Sequence, residues 1–133
     1  MGDFKNKEEA TEFFKDDLFA VSNGITIDEL TDDGCVCSMI IKPEHRNAMG
    51  GVMGGAIFTL ADFASAVSSN NDHLKTVGLN ASINYLSTSK GTKLIATAYK
   101  EKNGRNTAVY RVSVKDDLGK DIALFVGTGY KLD

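Results

Sequence analysis

Apolar residues recur first at helical spacing, then in alternation, then at helical spacing again, and finally in alternation to the end of the chain. Ala10, Phe13, Phe14 and Leu18 give the apolar side of a short first helix. Asn6, with Glu9 three residues later, has the form of a capping box at its start. Asn23-Gly24 breaks the chain, Ile25 to Leu30 reads as a strand, and Asp32-Asp33-Gly34 as a turn. From Cys35 to Ile41, Cys35, Cys37, Met39 and Ile41 alternate with Val36, Ser38 and Ile40, as in a strand covered on both faces. Pro43, the only proline, ends it, and a loop carries His45, Asn47 and Gly50-Gly51. A long helix follows, roughly Met53 to Ser69, with Ile57, Leu60, Ala61, Ala64 and Val67 as its buried stripe. Many of its other positions are small, so neighbours can approach closely. Strands are predicted over Thr76 to Tyr85, Lys93 to Lys100, Thr107 to Lys115 and Ile122 to Tyr130, with Asn103-Gly104 as a hairpin turn. This order predicts an α+β fold, an antiparallel sheet of about five or six strands wrapped around one long central helix. No repeat or linker divides the chain, so residues 1–133 are expected to form a single domain.

Composition narrows the function classes. With 42% hydrophobic and 25% charged residues the chain is not expected to be disordered. At 133 residues it can bury about two-thirds of its unfolded surface and needs no disulfide or metal to fold. A net charge of −3 with no Lys/Arg run argues against nucleic acid and anionic membranes as partners. No apolar run reaches the roughly 18 residues of a membrane span. MGDFKNKEEA is no signal peptide, and Asn6 breaks the myristoylation pattern, so a cytosolic (cytoplasmic) protein is expected. Cys35 and Cys37, two apart on one strand, are poorly placed for a mutual disulfide and lack further metal ligands, so they read as reduced packing residues.

The chemistry centres on Asp62. It is the only ionisable side chain between Arg46 and Asp72, and a carboxylate on an apolar helix is either paired or there for chemistry. The chain has no G-x-S-x-G elbow and no H-E-x-x-H, and GGVMGG fits neither the dinucleotide nor the phosphate-loop pattern. What remains is Gly54-Gly55 at a helix start, whose free amides can hold an oxyanion, and Asp62 as a base or nucleophile. Taken singly, the glycines suit a tight turn, Asp62 a bond to a neighbouring loop, His45 a loop histidine and Asn47 a turn residue. Their spacing as a set carries the information. Gly54 and Asp62 are eight residues apart, about 12 Å along a helix. A reacting carbon must lie within about 3.5 Å of its attacker. One helix therefore cannot present both groups to one substrate, whereas two antiparallel copies about a two-fold axis can.

The run from His45 through Gly55, followed by Leu60-Ala61-Asp62, resembles the signature of hotdog-fold acyl-CoA thioesterases, in particular the phenylacetate-pathway (PaaI-like) branch. The likeness continues through Ser82 to Leu86, Lys90-Gly91 and Gly104-Arg105, and so spans nearly the whole chain. It implies acyl-CoA hydrolysis without a metal or redox cofactor, in a homodimer or homotetramer. Gly54 would polarise the thioester carbonyl through its N–H, Asp62 would activate water or attack directly, and Asn47 would position water or substrate. Gly55, Met53, Phe58 and Gly78 are the expected substrate neighbours. Phe58 and Phe63 are candidate walls of the acyl tunnel, and Lys90 and Arg105 candidate contacts of the CoA phosphates. Two positions depart from the pattern. Met53 replaces the usual histidine, and a thioether cannot donate a hydrogen bond. Gly78 stands where some members have Ser or Thr. Met53 favours the alternative reading, an acyl-CoA-binding sensor without hydrolysis. A hotdog dehydratase needs a histidine paired with an acid, and neither His45 nor His73 has that context.

Overall fold

Asn6 starts the first element. In the computed structural model, which describes residues 2–133, its Oδ1 accepts the Glu9 N–H at 2.9 Å and opens α1 (Lys7–Phe13). The Glu9 carboxylate turns back to the Lys5 N–H at 3.4 Å rather than to that of Asn6. Leu18 is not on the apolar side of α1 as expected. The chain tightens after Phe14, the Asp17 N–H bonds the Phe14 carbonyl, and Leu18 opens a separate helix, α2 (Leu18–Ser22), where it is 69% exposed.

Six strands follow: β1 (Thr26–Leu30), β2 (Gly34–Ile40), β3 (Thr76–Tyr85), β4 (Lys93–Asn103), β5 (Thr107–Asp116) and β6 (Asp121–Lys131). They form one antiparallel sheet in the order β1-β2-β4-β5-β6-β3. The sheet curves around α3 (Gly54–Asp72), which packs on β2 to β6. The α+β expectation holds. The small residues explain how close the helix comes: Ala61 and Ala64 are fully buried, and the Cys35 thiol reaches the Ala64 carbonyl at 3.2 Å. Cys35 and Cys37 are free, buried thiols facing the helix, with sulfurs 3.8 Å apart.

The helix ends at Asp72 rather than Ser69, because distant partners extend it. The Asn70 side chain accepts the Thr76 N–H at 2.9 Å, and Asp72 pairs with Lys100 at 3.0 Å and accepts the Tyr110 hydroxyl. Among the described residues β3 pairs only with β6, and its other edge has no strand beside it. Val77, Leu79 and Tyr85 are 46%, 61% and 53% exposed, so the apolar side predicted for this strand stays largely uncovered. Among the described residues no helix is long and apolar enough to cross a membrane.

The turn after β5 carries an acid-sensitive lock. Asp116 is buried, and burial alone would raise its pKa. Bonds from the Lys120 N–H, the Ser89 hydroxyl and the Leu118 N–H together outweigh that and hold it below the usual carboxylate range. The Thr92 hydroxyl and N–H lower Asp117 in the same way. Both folded pKa values lie below the unfolded ones. Their stabilisation is thus complete above the unfolded value of about 4 and is lost as pH falls through the folded values. Thermal unfolding between pH 7 and pH 3 should show Tm falling below about pH 4. Asp116→Asn should lower Tm at pH 7 and flatten that fall.

Candidate active site

The segment entering α3 is fixed before the helix begins. His45 is 2% exposed; its Nδ1 accepts the Lys42 N–H at 3.0 Å, and its Nε2 lies 3.1 Å from Asn23 Oδ1. An amide oxygen only accepts, so the proton sits on Nε2. The His45 carbonyl takes the Met53 N–H at 2.8 Å. His45 is therefore a peg that holds the loop, in line with its reading as a loop histidine. His45→Ala should cost about 2 kcal/mol of stability by urea unfolding, since it removes two part-buried hydrogen bonds of a buried ring.

Asn47 organises the next turn. Its Oδ1 accepts the Met49 N–H at 3.0 Å and the Gly51 N–H at 3.1 Å, while Gly50, at φ +85°, makes the reversal. The carboxamide oxygen is thus in use, and only the Nδ2 donors are free for a ligand. Asn47 lines a cleft of about 470 Å³ with Gly51, Gly54, Ile57, Tyr85 and the segment from Leu86 to Ser89.

Met53 precedes α3 without capping it through its side chain, and is half-exposed. Among the described residues the Gly54 and Gly55 N–H groups donate to no protein group. They lie at the positive end of the helix dipole. Tyr85, which sequence reasoning gave no role, reaches over this point from the end of β3. Its hydroxyl donates to the Gly54 carbonyl at 3.0 Å, and its Cζ is 2.9 Å from where a Cβ of residue 54 would stand. A Cβ at residue 54 would force the ring or the helix start to shift. The available signal was Tyr85's place in the alternation of β3.

Asp62 lies two turns further on, outside that cleft. It borders one hollow of about 310 Å³ with residues 76–81 of β3 and with Phe125 and Gly127. It borders a second, of about 200 Å³, with Asp17, Phe19, Ala20, Phe58, Thr59, Phe63 and Ala66. Loss of solvent around the carboxyl raises its pKa above the ordinary value, and the Asp17 charge adds to this. No hydrogen bond to protein offsets either effect. Asp62 is thus not bonded to a neighbouring loop. Its carboxyl faces open space.

The other expected residues divide between these places. Gly55 is exposed beside Met53, whose Cε would be 3.0 Å from a Cβ there. Phe58 stacks edge-on against Phe125 at 5.4 Å, and Phe63 is buried against Phe14, so both form walls of the hollow at Asp62. Gly78 borders the other Asp62 hollow with nothing within 4 Å of its missing Cβ. Lys90 follows Ser89 at the Gly54 cleft. Arg105 lies in the β4–β5 turn, whose Asn106 holds Lys131 beside the start of β3. Within one chain the structure brings together Asn47 with Gly54, and Asp62 with Gly78 and Phe58, but not the two groups.

The comparisons with known proteins bear on the fold and the family. The family model described as a domain of unknown function (DUF4442) matches residues 18–126. A protein of Archaeoglobus fulgidus, named as an esterase on provisional grounds, is 37% identical over 106 residues, 79% of this chain and 69% of its own length. The acyl-coenzyme A thioesterase PaaI of Escherichia coli is 29% identical over 126 residues, 94% of this chain and 90% of that protein. The solved structure of the E. coli PaaI protein superposes with a TM-score of 0.87 at 28% identity, covering 93% of this chain and 91% of that one. A hypothetical thioesterase of Streptococcus pneumoniae, solved with coenzyme A, gives 0.80 at 28% identity, covering 88% and 94%. With the curved sheet, the central helix and the Asn47–Gly54 loop, these likenesses lead to one conclusion: the chain belongs to the DUF4442 family and is a hotdog-fold thioesterase of the PaaI-like branch.

Proposed function

We propose that the protein hydrolyses acyl-CoA thioesters to a carboxylic acid and CoA, in a site shared by two copies of the chain. One observation carries this reading. The first half of β3 borders the Asp62 hollow, while its last residue, Tyr85, borders the Gly54 cleft. If the open β3 edge pairs antiparallel with its own copy, each chain's Asp62 meets the partner's Gly54. An uncovered, partly apolar edge of ten residues is otherwise an aggregation hazard. The same pairing brings Arg105 of one chain to the end of the sheet that carries Lys90 of the other, so both suit the CoA phosphates. A pair of such dimers would form the homotetramer.

In that site the thioester oxygen lies against the Gly54 N–H, with the Asn47 Nδ2 nearby. The Asp62 carboxylate either takes a proton from water as the water attacks the carbonyl carbon, or attacks it directly and is freed by water afterwards. When Asp62 acts as base, the C–S bond breaks and the proton held by Asp62 passes to the sulfur, so CoA leaves as the thiol. When it attacks directly, the C–S bond breaks first, the CoA thiolate takes its proton from solvent, and water then cleaves the acyl–Asp62 anhydride. These steps use water, a carboxylate and backbone amides, and call on no metal or redox group. Met53 takes no part in them. The likeness to PaaI and to a structure holding coenzyme A supports the CoA thioester as substrate.

The test is release of free thiol from short, medium and aromatic acyl-CoAs by the wild type and Asp62→Asn. Turnover confined to the wild type is the expected result. Binding of acyl-CoA with no turnover above Asp62→Asn would establish the sensor reading in its place.

A further inference from the structure

The hollow between α2 and α3 has an unusual lining for an acyl site. Phe19, Ala20, Phe58, Phe63 and Ala66 make it apolar, yet it holds a second carboxylate, Asp17, beside Asp62. Asp17 sits where the chain turns into α2. Its backbone is engaged, with the N–H on Phe14 and the carbonyl taking the Val21 N–H. Its side chain caps no helix and pairs with no cation among the described residues. Lys15, the nearest cation in sequence, is bound to Glu12 at 2.6 Å. Asp16, next to it, borders neither Asp62 hollow. Among the described residues that line the two hollows at Asp62, from the start of α2 and from α3, β3 and β6, only Asp17 and Asp62 itself are ionisable.

A carboxylate kept unpaired against aromatic walls is not there to hold the fold. Its field acts on whatever enters. We propose that Asp17 is a specificity determinant of the acyl pocket, selecting against acyl groups that end in a carboxylate and for neutral apolar ones. This rests on the assignment of Asp62 as the reacting carboxylate. An incoming terminal carboxylate would share a hollow of about 200 Å³ with two like charges, well inside the screening length of roughly 10 Å. A neutral alkyl or aryl group of the same length meets only the phenyl and methyl walls. Discrimination by a repulsive element of this kind changes the ratio of two substrates more than the rate of the preferred one. The same charge supports the raised pKa of Asp62, so one side chain would tune both selection and base strength.

Three thioesters of similar chain length test this: hexanoyl-CoA, adipoyl-CoA and 6-aminohexanoyl-CoA, ending in a methyl, a carboxylate and an ammonium. kcat/KM is measured at pH 8 for the wild type, Asp17→Asn and Asp17→Lys. Asp17 is exposed and its side chain makes no hydrogen bond, so both variants should fold. The wild type should prefer hexanoyl-CoA to adipoyl-CoA. Asp17→Asn should narrow that preference about tenfold, and Asp17→Lys should put adipoyl-CoA ahead of 6-aminohexanoyl-CoA. The acid limb of the pH profile should also move to lower pH in Asp17→Asn, which a merely structural role would not produce. A ratio unchanged in both variants, with hexanoyl-CoA still hydrolysed, overturns the proposal alone. A wild type that hydrolyses none of these nor any other acyl-CoA overturns the proposed activity, and this selection with it.

Discussion

Asp62→Asn is expected to lower kcat/KM for the preferred acyl-CoA by about 10³-fold, the usual range for loss of a positioned base. Its Tm at pH 7 should be unchanged or slightly higher. Both expectations come from the same surroundings. The carboxyl has lost solvent and faces Asp17, so its folded pKa lies above the unfolded one. For a carboxyl shifted in this direction, the favourable contribution is present below the unfolded pKa and lost as pH rises through the folded one. At pH 7 the ionised group therefore gives the fold nothing that asparagine would remove. Activity runs the opposite way, because only the ionised form is a base or nucleophile. The acid limb of kcat/KM in the wild type should lie above the ordinary aspartate value of about 4. Rates and thermal unfolding between pH 4 and pH 8 check both, and a large loss of Tm in Asp62→Asn would make the residue structural.

Gly54→Ala is expected to lower kcat about 10²-fold, comparable to loss of one oxyanion donor. The N–H survives this change, so the loss must come from the added methyl. It would stand 2.9 Å from Cζ of Tyr85, and either the ring or the helix start must shift. The methyl also occupies space that a thioester oxygen needs. Gly55→Ala is the informative comparison. Its methyl would meet only the end of the flexible Met53 side chain at 3.0 Å. It should cost less than about tenfold, because that neighbour can move without disturbing the backbone. Steady-state kinetics on the two variants separate a position defined by close packing from one that is merely small.

The sequence foretold most of the sheet and the central helix, because both rest on local periodicity. The stripe Ile57, Leu60, Ala61, Ala64, Val67 is buried as expected. Asn103-Gly104 turns β4 into β5. Features that depend on distant partners were not legible. The last turn of α3 is held by Thr76, Lys100 and Tyr110, none of which a local pattern could connect to Asn70 or Asp72. α2 escaped notice because Leu18 and Phe19 are about 70% exposed, so it has no helical stripe to find. The candidate site divides in the same way. The spacing of Gly54 and Asp62 already called for two chains if the two residues act on one substrate. Nothing in the sequence related Asp17 to Asp62, or Tyr85 to Gly54, because those contacts exist only once α2 and β3 have packed on α3.

In the proposed dimer each site takes Gly54 from one chain and Asp62 from the other. The most direct test is a hybrid of two inactive variants, Asp62→Asn and Gly54→Ala, co-expressed with different tags and purified through both. A two-fold arrangement gives each hybrid dimer one intact site and one doubly altered site. Purified hybrids should recover about half the wild-type kcat per dimer, from parents that are each nearly inactive. Hybrids no more active than the mean of the two parents would show that Gly54 and Asp62 serve within one chain, and would contradict the shared site.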